Sequence, residues 1–193
     1  MIKIILFLSL SSPIISFAQL RDSVHIKTDI YEIVYSEVLQ QPKWVKYVVL
    51  CPNGTASRKG MFFYTSPDIK TSDDNDYIKN IFDKGHMAPA ADFNCNKEML
   101  HKTFSYVNCA LQNQILNRTT WKYLESYERE LAKLDTVSVY IKVFFSNIVL
   151  RTGATVPSGF YKEIRTSKHR YCYYFKNEKP LSLYYTKYKC NCN

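Results

Sequence analysis

The 193-residue sequence has no internal repeat and no low-complexity linker. The first absence excludes repeat architectures, and the second leaves no seam at which to divide the chain. After its first eighteen residues it has no apolar run long enough to cross a bilayer. No cysteine follows that opening run, so a lipid anchor is not expected. Cys190 and Cys192 have no second closely spaced Cys or His pair to accompany them, which argues against a zinc centre. Acids are also short, with 17 Asp and Glu against 26 Lys and Arg, for a formal net charge of +9. Such a surplus favours polyanionic partners, whether nucleic acid, acidic polysaccharide or anionic membrane, without choosing among them.

What is present begins with a leader. MIKIILFLSLSSPIISFA has a basic start at Lys3, a short apolar stretch and a small-x-small ending at Ser16-Phe17-Ala18. That is the pattern of a secretory signal peptide cleaved after Ala18, which implies a secreted or periplasmic protein. Residues 19–193 would then form one domain with a real core and a net charge of +8. The six cysteines, Cys51, Cys95, Cys109, Cys172, Cys190 and Cys192, permit up to three disulfides in an exported chain. Bridges pinning the C-terminal tail are expected, but the pairing stays open.

The periodicities predict mostly strands. YEIVYSEV and WVKYVVL are β-branched and aromatic, with Gln40-Gln41-Pro42 as the turn between them. CPNGTASRKG and KTSDDNDY read as loops, the second exposed. RTTWKYLESYERELAKL predicts a helix over 118–134. Its stripe is Trp121, Leu124, Tyr127 or Glu128, Leu131 and Leu134, and Thr119 or Thr120 is the expected cap. TVSVYIKVFF alternates as a strand, and short strands follow at GFYKEI, YCYYF and LSLYY. Strands around a central helix argue for an α+β fold. The tail interleaves tyrosines with lysines, a pattern that suits either packed terminal strands or stacking on bases.

Several polar residues are not what a core requests. His86 lies in Asp83-Lys84-Gly85-His86, followed by the small residues MAPAAD. Downstream come Asn108, Gln112, Asn117 and Glu125 among apolar neighbours. On a regular helix Asn117 and Glu125 would lie about 12 Å apart and be rotated by about 80°, too far to ligate one ion directly. One could ligate while the other holds a water of the ion. A neutral amide oxygen suits Mg²⁺, which keeps several waters. A neutral imidazole could take a proton from water, and activity would then fall below about pH 6.5.

These residues resemble the DNA/RNA non-specific endonucleases, which have the ββα-metal or His-Me finger fold. DKGH matches the family's Asp-Arg-Gly-His motif, and Asn108, Gln112, Asn117, Trp121, Leu124 and Glu125 match its polar series in order. Lys84 stands where the family has arginine, and Leu111 where proline is usual. The resemblance implies a mainly antiparallel sheet with a central catalytic helix. It implies His86 as general base, Asn117 as the direct ligand of Mg²⁺, with Mn²⁺ as substitute, and Glu125 acting through a water of the ion. Asn108 would orient the site, and Lys84 would assist catalysis. Arg58, Lys84 and Arg129 would contact phosphate. The implied partners are DNA and RNA, cut with little sequence preference and without a membrane. The alternatives are a non-catalytic nucleic-acid-binding module on the same fold and a disulfide-stapled protein that binds acidic polysaccharide or lipid.

Overall fold

The structure, a computed structural model, describes residues 19–192, so the expected leader lies outside the described residues. The strands are β1 Val24–Lys27, β2 Tyr31–Ser36, β3 Gln41–Val48, β4 Phe82–His86, β5 Cys109–Asn113, β6 Ser138–Val149, β7 Thr155–Arg165 and β8 Arg170–Lys176. Six form an antiparallel sheet in the order β1-β2-β3-β6-β7-β8, while β4 and β5 pair as a separate antiparallel ribbon. The α+β expectation holds. Alternation decides which face is buried: along β6, Val139, Ile141 and Val143 turn inward while Tyr140, Lys142 and Phe144 turn out. The inner face packs against Trp121, Leu124 and Leu116 of the long helix, so the ribbon and helix lie on one side of the sheet.

That helix departs from its expected form. It begins as α2 Gln114–Leu116, passes through a π turn at Asn117–Trp121 and continues as α3 Lys122–Ala132. The cap is Asn113, whose side chain accepts from the backbone N–H groups of Ile115 and Leu116. Asn113 also ends β5, so the strand runs into the helix without a loop. Thr119 and Thr120 are not caps. Their hydroxyls donate to the carbonyls of Ile115 and Ser182. Of the two stripe candidates, Glu128 is the fully buried one, and Leu134 is exposed beyond the helix end.

Other boundaries shift for local reasons. Gln41 and Pro42 already belong to β3, and the turn before them ends at Gln40 with φ 52°. LSLYY forms no strand. It leads into a short 3₁₀ turn, Tyr185–Tyr188. The loop over 70–77 buries Ser72 and Asp76, so it is not wholly exposed. Two disulfides form, Cys51–Cys95 and Cys172–Cys192, and the second pins the tail as expected. Cys109 and Cys190 are free.

Side-chain amides dock the ribbon to the sheet. Gln41 Oε1 accepts from the Leu111 N–H, and Asn177 accepts from the Asn113 N–H while donating to the Leu111 and Pro157 carbonyls. The helix is docked by charge. Glu128 on α3 accepts from Lys162 Nζ of β7 at 2.6 Å and from the Tyr47 hydroxyl of β3 at 2.8 Å. Both charged side chains are 0 % exposed, and Lys162 also lies 4.2 Å from the Trp121 ring centroid. A buried pair tolerates loss of one partner poorly, because the other charge is stranded. Lys162→Met alone is expected to cost about 3–5 kcal/mol of stability. The double variant Glu128→Leu/Lys162→Met should recover most of that loss. Urea unfolding of the two proteins checks this.

Candidate functional site

The site is built on the ribbon and the helix that leaves it. In β4 the side chains alternate, so Lys84 and His86 share one face of the ribbon, and Asp83 and Gly85 the other. DKGH is therefore strand. Gly85 is required by close approach: a Cβ there would lie 2.5 Å from Gln112 Oε1, which crosses the ribbon over it. The Gln112 amide is buried and has no hydrogen-bond partner among the described residues.

Asn108 holds the chain leaving His86. Its Oδ1 accepts from the Ala88 N–H, and its Nδ2 donates to the Ala88 and Thr103 carbonyls. The Met87 N–H bonds to the Asn108 carbonyl. These bonds fix the backbone that follows His86 and do not reach the imidazole.

His86 packs between Phe63 and Phe104, with ring centroids 5.0 and 5.1 Å away. Part of the residue reaches the surface, but Nε2 is buried and unpartnered among the described residues. No hydrogen bond to either ring nitrogen is present among the described residues, so the ring is oriented by packing and not by a carboxylate. Burial, aided by the positive charge of Arg58, pushes its pKa down to about 4. The expectation of an ordinary value near 6.5 is corrected accordingly.

The expected cations differ in availability. The Arg58 side chain is exposed and makes no hydrogen bond among the described residues. Lys84 is paired with Asp74, and its ammonium lies 5.2, 5.5 and 5.8 Å from the Phe63, Tyr106 and Tyr77 rings. Tyr106 donates to the same Asp74 carboxylate. Arg129 turns inward, with Nη1 on buried Asp92 at 2.9 Å and Nη2 on Ser126 Oγ at 3.0 Å. Arg129, expected to contact phosphate, is thus held by Asp92 and stays partly exposed. Asp92 itself is shifted up by burial and by Glu128, against the pull of Arg129.

Asn117 is fixed by Asp83. Its Nδ2 donates to Asp83 Oδ2 at 2.9 Å, and Arg118 grips the same carboxylate through Nε at 2.8 Å and Nη2 at 2.6 Å. Asp83 thus ties the start of the helix to the ribbon. With Nδ2 engaged, the amide oxygen is the atom left for a hard cation.

The π turn changes the relation between Asn117 and Glu125. It closes hydrogen bonds to the fifth residue, which inserts about one extra residue into the helix. Eight residues then turn as far as seven on a regular helix, about 20° short of two full turns. Asn117 and Glu125 therefore share a face, roughly 11 Å apart along the axis, and side chains tilt back toward the helix N-terminus. By this count the offset of about 80° expected for a regular helix is removed. Burial pushes the Glu125 carboxyl up to about 7, with Glu128 adding to the rise and Lys162 and Arg129 opposing it. No group of three or more His, Cys, Asp or Glu that could cage a metal occurs among the described residues. A hard ion with few protein ligands and many waters fits this donor set better than a caged one.

Sequence reasoning missed Asn113, Asp74, Phe63 and the Glu128–Lys162 pair. Glu128 was visible as a charge on an apolar stripe. Phe63 and Asp74 carry no local signal, because they meet the site only through tertiary packing.

Comparisons with known proteins bear on family and fold. The chain is 33% identical over 104 residues to the mitochondrial nuclease EXOG of Danio rerio, covering 51% of this chain and 30% of that protein. It is 34% identical over 119 residues to nuclease C1 of Cunninghamella echinulata, covering 53% and 47%. The chain spans about a third of the length of the first EXOG-type relatives it matches. The structure superposes on that of the EndoG/EndoGI complex with a TM-score of 0.73 at 22% identity, covering 91% of this chain and 82% of the other, which establishes the shared fold. The family model described as DNA/RNA non-specific endonuclease matches residues 15–193, and the chain belongs to that family.

Proposed function

We propose that this protein is an exported, metal-dependent endonuclease that hydrolyses DNA and RNA with little sequence preference. Residues 19–193 would be its single working domain, released from a leader ending at Ala18. The observation that carries the reading is the Asn117 amide, locked by Asp83 on the helix face shared with Glu125, beside the ribbon that bears His86. The two disulfides support an oxidising compartment.

Asn117 Oδ1 would hold Mg²⁺, or Mn²⁺ in its place, and Glu125 would accept hydrogen bonds from the ion's waters. When bound, the ion supplies positive charge at the scissile phosphate and its leaving oxygen. His86, uncharged at neutral pH, takes the proton of the attacking water at Nε2. Because Nε2 is buried beneath Phe63, the loop carrying Arg58 and Phe63 has to shift as substrate enters. Arg58 then meets phosphate directly, and Lys84 exchanges the Asp74 carboxylate for a phosphate oxygen. Asp92 keeps Arg129 in place beside Glu125. Contacts of this kind go to the sugar-phosphate backbone and carry no base information.

Two outcomes test the reading. Plasmid DNA and total RNA should be digested with Mg²⁺ and not with EDTA, and His86→Ala and Asn117→Ala should each lower the rate by about 10²-fold or more. Binding without cleavage by folded wild-type protein would favour the non-catalytic module instead. The pH profile is the second. At saturating Mg²⁺, whose charge would favour the Glu125 carboxylate, a depressed His86 pKa keeps the base unprotonated until the pH approaches it, so kcat/KM should be retained at pH 5.5 and decline toward about pH 4. Phe63→Ala, which admits water to the ring, should move the acid limb up toward about 6.5. A wild-type limb already centred at 6.5 would contradict the buried-base account.

A further inference from the structure

The outer face of the six-stranded sheet points away from this site and carries a repeated pattern. Three strands read aromatic, apolar, lysine: Trp44-Val45-Lys46 in β3, Tyr140-Ile141-Lys142 in β6 and Tyr174-Phe175-Lys176 in β8. Strand alternation buries the middle residue and turns the other two outward. Val45, Ile141 and Phe175 are fully buried, while all three lysines are exposed.

Register extends the pattern across strands. Trp44 stands opposite Lys142, and Lys46 opposite Tyr140, so ring and cation alternate in both directions. Lys46 Nζ lies 4.9 Å from the Trp44 ring centroid and 5.7 Å from that of Tyr140. Trp44 and Tyr140 are 6.3 Å apart, and a second pair, Phe144 and Tyr174, are 5.7 Å apart. Tyr140 and Phe144 are separated along β6 by about 13 Å, with Lys142 between them. Two acids face this surface: Glu163 of β7 has its oxygens taken by Arg165 and Arg170, and Glu32 of β2 stands between Lys27 of β1 and Lys46 of β3 in register. A shallow cavity of about 970 Å³ opens here, lined in part by Trp44, Lys46, Tyr140 and Arg165.

Antiparallel sheets commonly leave one polar face in water, and aromatics favour strands in any case. Neither tendency explains rings and lysines alternating in two directions. Rings that stack bases, interleaved with cations that take phosphates, form a platform for single strands. Its charge is complementary to a polyanion, and its rings offer stacking faces to bases. We infer that this sheet face is a second binding surface for single-stranded nucleic acid, one that retains long substrates outside the cleavage site. The inference rests on the nuclease reading for its biological sense, but its test does not require cleavage.

The chain has two tryptophans, and Trp121 is fully buried, so quenching of tryptophan fluorescence by bases reports on Trp44. His86→Ala protein is titrated with a single-stranded 30-nucleotide probe at fixed moderate salt. Quenching is expected, with affinity about tenfold or more weaker in Lys46→Glu/Lys142→Glu. In otherwise wild-type protein, the lysine pair should leave cleavage of very short oligonucleotides unchanged. Absent quenching, or an affinity untouched by the double substitution, would overturn the inference even if the protein cuts normally. So would equal binding and equal lysine dependence with heparin or with anionic vesicles. Lysine-dependent quenching in a protein that never cuts would uphold this surface while removing the nuclease reading.

Discussion

A carboxylate buried between a helix and a sheet has to meet its counter-charge before the core can close, and Glu128 imposes that condition on the whole molecule. It binds Lys162 and Tyr47 from two different strands, and Lys162 in turn lies over Trp121. These contacts admit one rotation and one depth of the helix against the sheet. A purely apolar interface of similar area would tolerate sliding more easily, because dispersion contacts are not directional. The other end of the helix is fixed in kind: Asp83 of the ribbon receives Asn117 and Arg118. Two carboxylates thus hold one helix at both ends, and the functional face lies between them.

The π turn makes those two constraints compatible. Asn113 and Asp83 set the register at the start of the helix, while Trp121, Leu124 and Glu128 set it where the helix meets the sheet. The one-residue excess between the two is absorbed as a single widened turn, which also brings Glu125 round to the face of Asn117. Such turns are uncommon and concentrate at functional sites, where the cost of weaker hydrogen-bond geometry is offset by placement of a side chain.

Much of this was legible in the sequence and some was not. The strands of the main sheet follow from period-two alternation, and Trp121 as a core residue follows from the helical stripe. His86, Asn117 and Glu125 stood out as polar groups among apolar neighbours, in an order that resembles a known family. The helix start escaped because Asn113 belongs to a strand and a cap at once, and a scan for a cap before the apolar stripe stops at the threonines. The rotation between Asn117 and Glu125 escaped because no local residue pattern announces a π turn. The low His86 pKa escaped because burial by Phe63 and Phe104 is set by segments distant in sequence. The Arg129–Asp92 pair escaped because its partners lie 37 residues apart in the chain.

The central claim is that one amide, locked by Asp83 and facing Glu125, holds the catalytic ion. Water-proton relaxation during Mn²⁺ titration measures it without depending on activity. The account predicts one Mn²⁺ per chain retaining several exchangeable waters, lost in Asn117→Ala and weakened in both Asp83→Asn and Glu125→Gln. A stoichiometric Mn²⁺ site of unchanged affinity in folded Asn117→Ala would contradict it.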